Sequence, residues 1–117
     1  MYILNLRQQP LEQIAWLETA VTAARTLGDR RREGIVLSNL GISYADLSEV
    51  PKTIDHTQQA LAISRELGDR RSEGYALFDM SRALHGQGET ARAIPLAEQA
   101  LMIYQQIQDP NAAVVQR

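Results

Sequence analysis

The sequence has no cysteine among its 117 residues, and this absence removes several classes of chemistry at once. Disulfide cross-links, thiolate nucleophiles and cysteine-ligated metal ions all require a residue that the chain lacks. Aromatic residues are also few, with one tryptophan, one phenylalanine and four tyrosines. Stability must therefore come from an ordinary apolar core, for which the length of the chain and its 44% of apolar residues are sufficient.

An excess of charge of one sign is absent as well. The 12 basic residues nearly balance the 14 acidic ones, and the formal net charge is −2. Such a chain has no field that would hold nucleic acid or an acidic membrane surface, so proteins or peptides are the expected partners. No hydrophobic stretch approaches the length of a membrane span, and the apolar start at 1–6 is too short for a secretory signal. We therefore expect a soluble, cytoplasmic protein.

The strongest positive signal is an internal repeat of forty residues. The phrase Leu-Gly-Asp-Arg-Arg at 27–31 returns at 67–71, and a fading third copy begins at Ile107. Comparing 27–66 with 67–106 position by position gives 14 identities among 40. One structural unit has therefore been copied at least twice.

Each unit carries the signals of two helices. Its apolar residues recur at three-to-four-residue spacing, and no segment alternates with a period of two. Glycine followed by aspartate, at 28–29 and 68–69, suits a left-handed helix end and the cap of the next helix. The other breaks, at 48–51 and 86–89, contain a proline or paired glycines. These signals predict helices at about 10–27, 30–47, 51–67, 70–86 and 90–107, and the beginning of another from about 110.

Small residues at the helix crossing points, and an Ala-Leu pair late in the second helix of each unit, resemble the tetratricopeptide repeat. Glycine or alanine at such a crossing lets two helix axes approach closely. The forty-residue period looks like the longer-helix variant found in bacterial regulatory proteins and kinesin-light-chain-like adaptors. The positions that carry the resemblance are Leu40-Gly41, Tyr44 and Ala60-Leu61 in one unit and Gly88, Ala93 and Ala100-Leu101 in the next.

The resemblance implies an all-α fold, an α-solenoid of stacked antiparallel helix hairpins with about two whole repeats and flanking half-repeats. HEAT and armadillo repeats are the alternative, because their units are also about 40 residues long. The placement of glycine, tyrosine and alanine argues against them. The expected organisation is a single domain over 1–117, divided into a half-repeat 1–28, repeats 29–68 and 69–108, and the start of a further helix at 109–117.

The arginines at 30–32 and 70–71 repeat with the unit and could bind an acidic partner. A structural interpretation is stronger, because Glu33 and Glu73 lie within one helical turn of the first arginine in each group. We therefore expect these charges to serve the fold.

No catalytic, metal or cofactor site is predicted. His56 and His85 lie in separate helices without metal-ligand spacing, and we expect His56 at the surface and His85 on the groove side. Trp16 is expected in the core or packed against an end of the solenoid rather than in a binding platform. No nucleophile with a base and an orienting group can be identified. We expect no enzymatic activity, no cofactor and no metal.

The resemblance implies a scaffold that binds a peptide or partner segment in a concave groove, and we expect it to be a fragment of a larger regulatory or signalling protein. The groove is lined by the first helix of each unit. Arg82 is expected to pair with Asp79, and Asn39 to meet a peptide backbone. The predicted groove residues are Ile35, Ser38, Asn39, Ile42, Asp46, Tyr75, Phe78, Asp79, Arg82 and His85.

A second hypothesis is self-assembly, or an intramolecular regulatory role, without a dedicated peptide ligand. A solenoid normally needs about three repeats with polar caps, whereas the segments 1–6 and 112–115 are apolar. A homodimer or swapped oligomer through the solenoid ends would bury them. Concentration-dependent dimerisation without peptide affinity would favour this hypothesis.

Overall fold

The computed structural model describes residues 8–108, with side chains from Leu11 onwards, and these residues form five α-helices. The predicted all-α fold is confirmed, and the bounds of the five helices differ from the predicted ones by at most two residues. The further helix predicted from about 110 lies outside the described residues. The helices are α1 Gln8–Leu27, α2 Arg30–Asp46, α3 Val50–Leu67, α4 Arg70–Gly86 and α5 Thr90–Gln108.

The helices form two rows. Because the connections are only two or three residues long, consecutive helices lie antiparallel, and each packs against the next. The backbone of helix α2 also approaches that of α4, whereas the backbones of α1, α3 and α5 stay farther apart over residues 8–108, and α1 and α3 are joined by a 3.1 Å side-chain hydrogen bond from Arg25 to Gln59. The row of α2 and α4 is therefore the closer one, and the solenoid curves with these two helices on its concave side.

The apolar core consists of two clusters, which are the same set of positions shifted by forty residues. The first lies between α1, α2 and α3, and the second between α3, α4 and α5. Helix α3 supplies Ala60 and Ile63 to the first and Leu61 to the second, so the clusters are joined along the stack. The other buried members are Val21, Val36, Leu37 and Leu40 in the first cluster and Ala76, Leu77, Met80, Ala100 and Ile103 in the second.

Gly41 marks a close approach of α2 to α3. A Cβ atom at this position would lie 2.6 Å from Thr57 Cγ2 and 3.6 Å from the Thr53 carbonyl oxygen. Thr57 cannot move aside easily, because it is fully buried and its hydroxyl donates a 2.7 Å hydrogen bond to the Thr53 carbonyl. The helix crossing that the sequence predicts at Gly41 is therefore confirmed.

The Gly-Asp pair forms the turns before α2 and α4 as predicted. Gly28 and Gly68 have φ angles of 70° and 69°, in the left-handed region that glycine enters without steric cost. Asp29 and Asp69 then cap the following helices, since each carboxylate accepts a main-chain hydrogen bond from three residues ahead, at 3.0 and 3.1 Å. The repeated phrase is thus a helix-to-helix connector.

The turn between α2 and α3 places Ser48 in the conformation that glycine adopts in the next unit, with φ of 60° against 87° at Gly88. A left-handed backbone costs a residue with a Cβ about 1–2 kcal/mol, and the entropy of an unfolded glycine offsets part of this. We expect Ser48→Gly to raise the free energy of unfolding in urea by about 0.5 kcal/mol. Ser48→Ala keeps the Cβ and should give no gain. A less stable glycine variant would contradict this account.

Candidate binding surface

The repeated arginines form an ion-pair network that joins successive helices. The side chain of Glu33 is only 9% exposed, and it accepts hydrogen bonds from Arg25 on α1 at 2.9 Å and from Arg30 at 3.0 Å. Arg30 also donates to both carboxylate oxygens of Glu66 on α3, at 2.6 and 3.0 Å. One buried carboxylate, through its two arginines, therefore ties α1, α2 and α3 together.

The same arrangement recurs one unit later. Glu73 accepts hydrogen bonds from Arg65 and Arg70, each at 3.0 Å, and Arg70 also donates to the side-chain oxygen of Gln106 at 2.6 Å. The predicted pairing of each glutamate with the arginine one turn before it is confirmed in both units. Because these arginines hold helices together, the contacts favour the structural interpretation of the arginine row over a site for an acidic partner.

The pKa values of the network carboxylates follow from these contacts. Burial by itself would raise the pKa of Glu33, but the hydrogen bonds from Arg25 and Arg30 outweigh it and hold the pKa below its ordinary value. The pKa of Glu66 is also lowered, chiefly by its hydrogen bond from Arg30. Both side chains are therefore ionised at neutral pH, as the ion pairs require.

The groove residues predicted from the sequence all lie on α2 and α4, the two helices of the concave side. Among them are four large apolar side chains, each between 42% and 52% exposed: Ile35, Ile42, Tyr75 and Phe78. The polar members are mostly exposed as well, and only Ser38 and Asp79 are of intermediate burial. This surface therefore offers apolar contacts and hydrogen-bonding groups side by side.

A cavity of about 410 Å³ opens between α1 and α2. Its walls include Asn39 and Ile42 of the predicted groove and also Trp16, whose side chain is 77% exposed. An amide and two large apolar groups thus share one cavity. It suits an apolar side chain whose neighbouring peptide group can hydrogen-bond to Asn39.

A second cavity, of about 400 Å³, lies between α2, α3 and α4 and is lined by Asp46, Asp79 and Arg82 among others. Arg82 Nη2 lies 3.4 Å from Asp79 Oδ1, so the predicted pair is confirmed. The Arg82 guanidinium also lies over the ring of Phe78, 5.4 Å from its centroid. Burial raises the pKa of Asp79, and the charge of Arg82 offsets this only in part. The second cavity thus contains acidic and basic side chains, unlike the first.

The two cavities occupy equivalent places in successive units, because Asn39 and Ile42 of the first correspond by the forty-residue step to Asp79 and Arg82 of the second. The backbone geometry is repeated, but the side chains change from an amide and an apolar group in the first cavity to an acid and a base in the second. A ligand that lies across both would meet a different environment in each.

Tyr75 and Phe78 line a separate cavity of about 440 Å³ at the far end of the solenoid, together with Tyr104 of α5. The rings of Tyr75 and Tyr104 lie 5.8 Å apart, centroid to centroid. His85 stands apart from the other predicted residues, in the last turn of α4, where its Nδ1 lies 3.1 Å from Thr90 Oγ1 at the start of α5. The structure thus divides the predicted groove residues among several places along one surface.

A comparison with protein families matches this chain to the tetratricopeptide repeat over residues 32–106, well over half of its length. The chain belongs to the tetratricopeptide repeat family. Tetratricopeptide repeats generally mediate protein–protein interaction, and the family is typically a non-enzymatic scaffold. The HEAT and armadillo alternative is therefore set aside. A comparison with curated proteins gave no match.

Two expectations about single side chains of this tetratricopeptide chain are wrong. Trp16 lies at the end of the solenoid but packs neither in the core nor against that end, since most of it is exposed in the first cavity. His56 is not a surface residue, because its side chain is only 15% exposed and its ring lies 5.0 Å from that of Tyr44. Trp16 of α1 and His56 of α3 occupy the same position of the forty-residue unit. Helix α2 covers His56, whereas none of the described helices covers Trp16 in that way.

In residues 8–108, no three histidine, aspartate or glutamate side chains are grouped so that they could hold a metal ion. Over the same range, no helix combines the length and the apolar character that crossing a membrane would require.

Proposed function

We propose that the chain binds a partially apolar peptide segment of another protein along the concave face of α2 and α4. The observation that carries this proposal is the exposure of Ile35, Ile42, Tyr75 and Phe78 on two helices that lie side by side. Exposed apolar side chains gathered on one face, and flanked by polar groups, are typical of an interaction surface. The repeats 29–68 and 69–108 would each contribute one helix to it.

The ligand chemistry follows from the two equivalent cavities. The first takes an apolar side chain against Trp16 and Ile42, with Asn39 bonding to the ligand backbone. In the second, the 3.4 Å contact between Arg82 and Asp79 is long for a charge-assisted hydrogen bond. A carboxylate of the ligand can therefore displace Asp79 and pair with Arg82. We infer a peptide, extended or helical, that carries an apolar residue and an acidic residue, bound with modest affinity because only two units contribute.

The test is a titration with a peptide selected from a random library on the immobilised chain, followed by fluorescence anisotropy. We expect Asn39→Ala/Arg82→Ala to weaken binding about tenfold to a hundredfold, since one neutral and one charged hydrogen bond are lost. The matched control is Gln58→Ala/Arg92→Ala, which removes an amide and a guanidinium from exposed positions of α3 and α5. Unchanged affinity in the Asn39 and Arg82 variant would move the site off the concave face.

Self-association through the solenoid ends is a second candidate function, favoured by the exposure of Trp16 at the α1 end. A second copy that covers Trp16 would bury a large apolar side chain. A concentration-dependent mass in light scattering, together with failure to select any peptide, would support this candidate over the groove. In either case we propose a cytoplasmic scaffold without catalytic activity, in keeping with a cysteine-free chain and with the family.

A further inference from the structure

The Arg82 guanidinium in the second cavity already has an anionic partner within the chain. Its Nη2 lies 3.4 Å from Asp79 Oδ1, and within residues 8–108 this is the only hydrogen bond that the Asp79 carboxylate accepts. The Arg82 side chain is 59% exposed, whereas that of Asp79 is only 15% exposed. The cation is therefore open to a ligand, and the anion paired with it is largely withdrawn from water.

An acidic ligand group that pairs with Arg82 would leave Asp79 in an unfavourable position. Two carboxylates beside one guanidinium repel each other, and the one that is farther from water keeps its charge less easily. Burial already raises the pKa of Asp79, and the charge of Arg82 offsets this only in part. A ligand anion on Arg82 weakens that offset. Asp79 is therefore the group that would take up a proton.

The other groups around the Asp79 carboxylate provide no substitute for the guanidinium. Asp46 of α2 lines the same cavity, and its negative charge also favours a neutral Asp79. Tyr104 of α5 adds no charge, because burial and the charge of Asp79 both raise the pKa of its hydroxyl. Helix α3 contributes Val50 and Thr53 to the cavity wall, and neither ionises. Within the described part of the chain, the charge of Asp79 thus depends on one cation.

The preceding unit shows the same place without an ion pair. Asn39 stands forty residues before Asp79, and Ile42 stands forty residues before Arg82, and both line the equivalent cavity. An amide is therefore compatible with the repeated helix packing at this position. The variant Asp79→Asn keeps nearly the same shape and removes only the charge, so it isolates what that charge does.

We propose that Asp79 is an internal competitor for Arg82, so that an acidic group of a ligand binds there together with uptake of a proton by Asp79. Arg82 stays protonated and the ligand group stays ionised, while Asp79 leaves the guanidinium and takes one proton from the solvent. The complex then holds more protons than the free chain, and its affinity rises as the pH falls. This inference rests on the proposed peptide site and adds a condition for binding its acidic residue.

The test uses two forms of the peptide selected for the groove. One carries cysteic acid in place of its acidic residue, because a sulfonate stays ionised throughout the titration, and the control form carries alanine there. At about pH 7.5 we expect Asp79→Asn to bind the sulfonate peptide about twofold to fivefold more tightly than the wild type, the range for an exposed ion pair. Between about pH 7.5 and about pH 5 the wild type should gain the same factor and approach the variant. Any contribution of His85 appears in both chains alike.

A second measurement needs no ligand. Arg82→Gln removes the cation from the free chain, as a ligand anion would neutralise it. We expect this variant to raise the pKa of Asp79 above its value in the wild type, followed by carboxyl-carbon NMR of the full chain. An unchanged pKa would overturn the proposal whatever the peptide does.

The binding outcomes separate this proposal from the peptide site itself. Equal affinities of the wild type and Asp79→Asn for the sulfonate peptide, or the same pH dependence with the alanine peptide, would overturn only the competition. A selected peptide without an acidic residue would do the same. Unchanged affinity in Asn39→Ala/Arg82→Ala would overturn both proposals, because the peptide would then bind elsewhere.

Discussion

Leu40→Ala is expected to lower the free energy of unfolding by about 3 kcal/mol, the largest single effect that we predict. Leu40 has no exposed surface and packs in the cluster between α1, α2 and α3 with Val21, Leu37 and Ile63. Truncation removes buried methyl groups and leaves a cavity that three helices border. These helices are held by short turns and by their neighbours, so the cavity should collapse only in part. Urea denaturation followed by circular dichroism measures the change.

The control for Leu40 is the same substitution at an exposed leucine. Leu27→Ala, at the last residue of α1, removes the same atoms from a side chain that is 78% exposed. It should change the free energy of unfolding by less than about 0.5 kcal/mol. Equal losses for the two variants would mean that the cluster is not the main source of stability.

Glu33→Ala is expected to cost about 2 kcal/mol of stability, because the variant leaves Arg25 and Arg30 without their shared acceptor. The cost stays below that of breaking a fully buried pair, since both arginine side chains are nearly half exposed and water can solvate them. Glu98→Ala, which removes an exposed carboxylate from α5, is the matched control and should be nearly neutral.

The Glu33 contribution should depend on pH in a defined direction. The pKa of Glu33 is lower in the folded chain than its ordinary value, so folding favours the ionised form. In the unfolded chain Glu33 has the ordinary pKa of 4.5, and above this pH its stabilising effect is complete. The effect is lost as the pH falls through the lower pKa of the folded chain. The difference in stability between the wild type and Glu33→Ala should therefore shrink below about pH 4.5. A difference that persists to pH 2 would show that Glu33 acts by packing instead.

The sequence predicted the helices well because the signals for them are local. Apolar spacing, the left-handed glycines and the capping aspartates each act within a few residues, and the structure confirms them at Gly28 and Asp29 and again forty residues later. The repeat itself gave the stacking order, since a copied unit must pack on its copy in a similar way. The candidate groove could be proposed on α2 and α4 for the same reason.

Contacts between distant residues were harder to predict. The link from Arg25 to Glu33 crosses a turn, and the link from Arg30 to Glu66 joins positions 36 residues apart, so neither has a local pattern. Trp16 and His56 share one repeat position and yet differ in exposure, because a described neighbouring helix covers only His56. The recurrence of arginine at 25 and 65, each eight residues before a glutamate, was a signal that could have revealed the links between helices.

The sequence by itself determined the all-α fold, the forty-residue unit and the turns, because propensity, capping and periodicity are properties of short segments. Only the tertiary structure decided which repeated positions are covered. Exposure depends on whether a neighbouring helix is present, and so Leu61 is buried while Leu101 is open. The surroundings of the concave face were decided at the same level, since stacking places Asn39 beside Trp16 in one cavity and adds Asp46 of α2 to the cavity that Asp79 and Arg82 of α4 line.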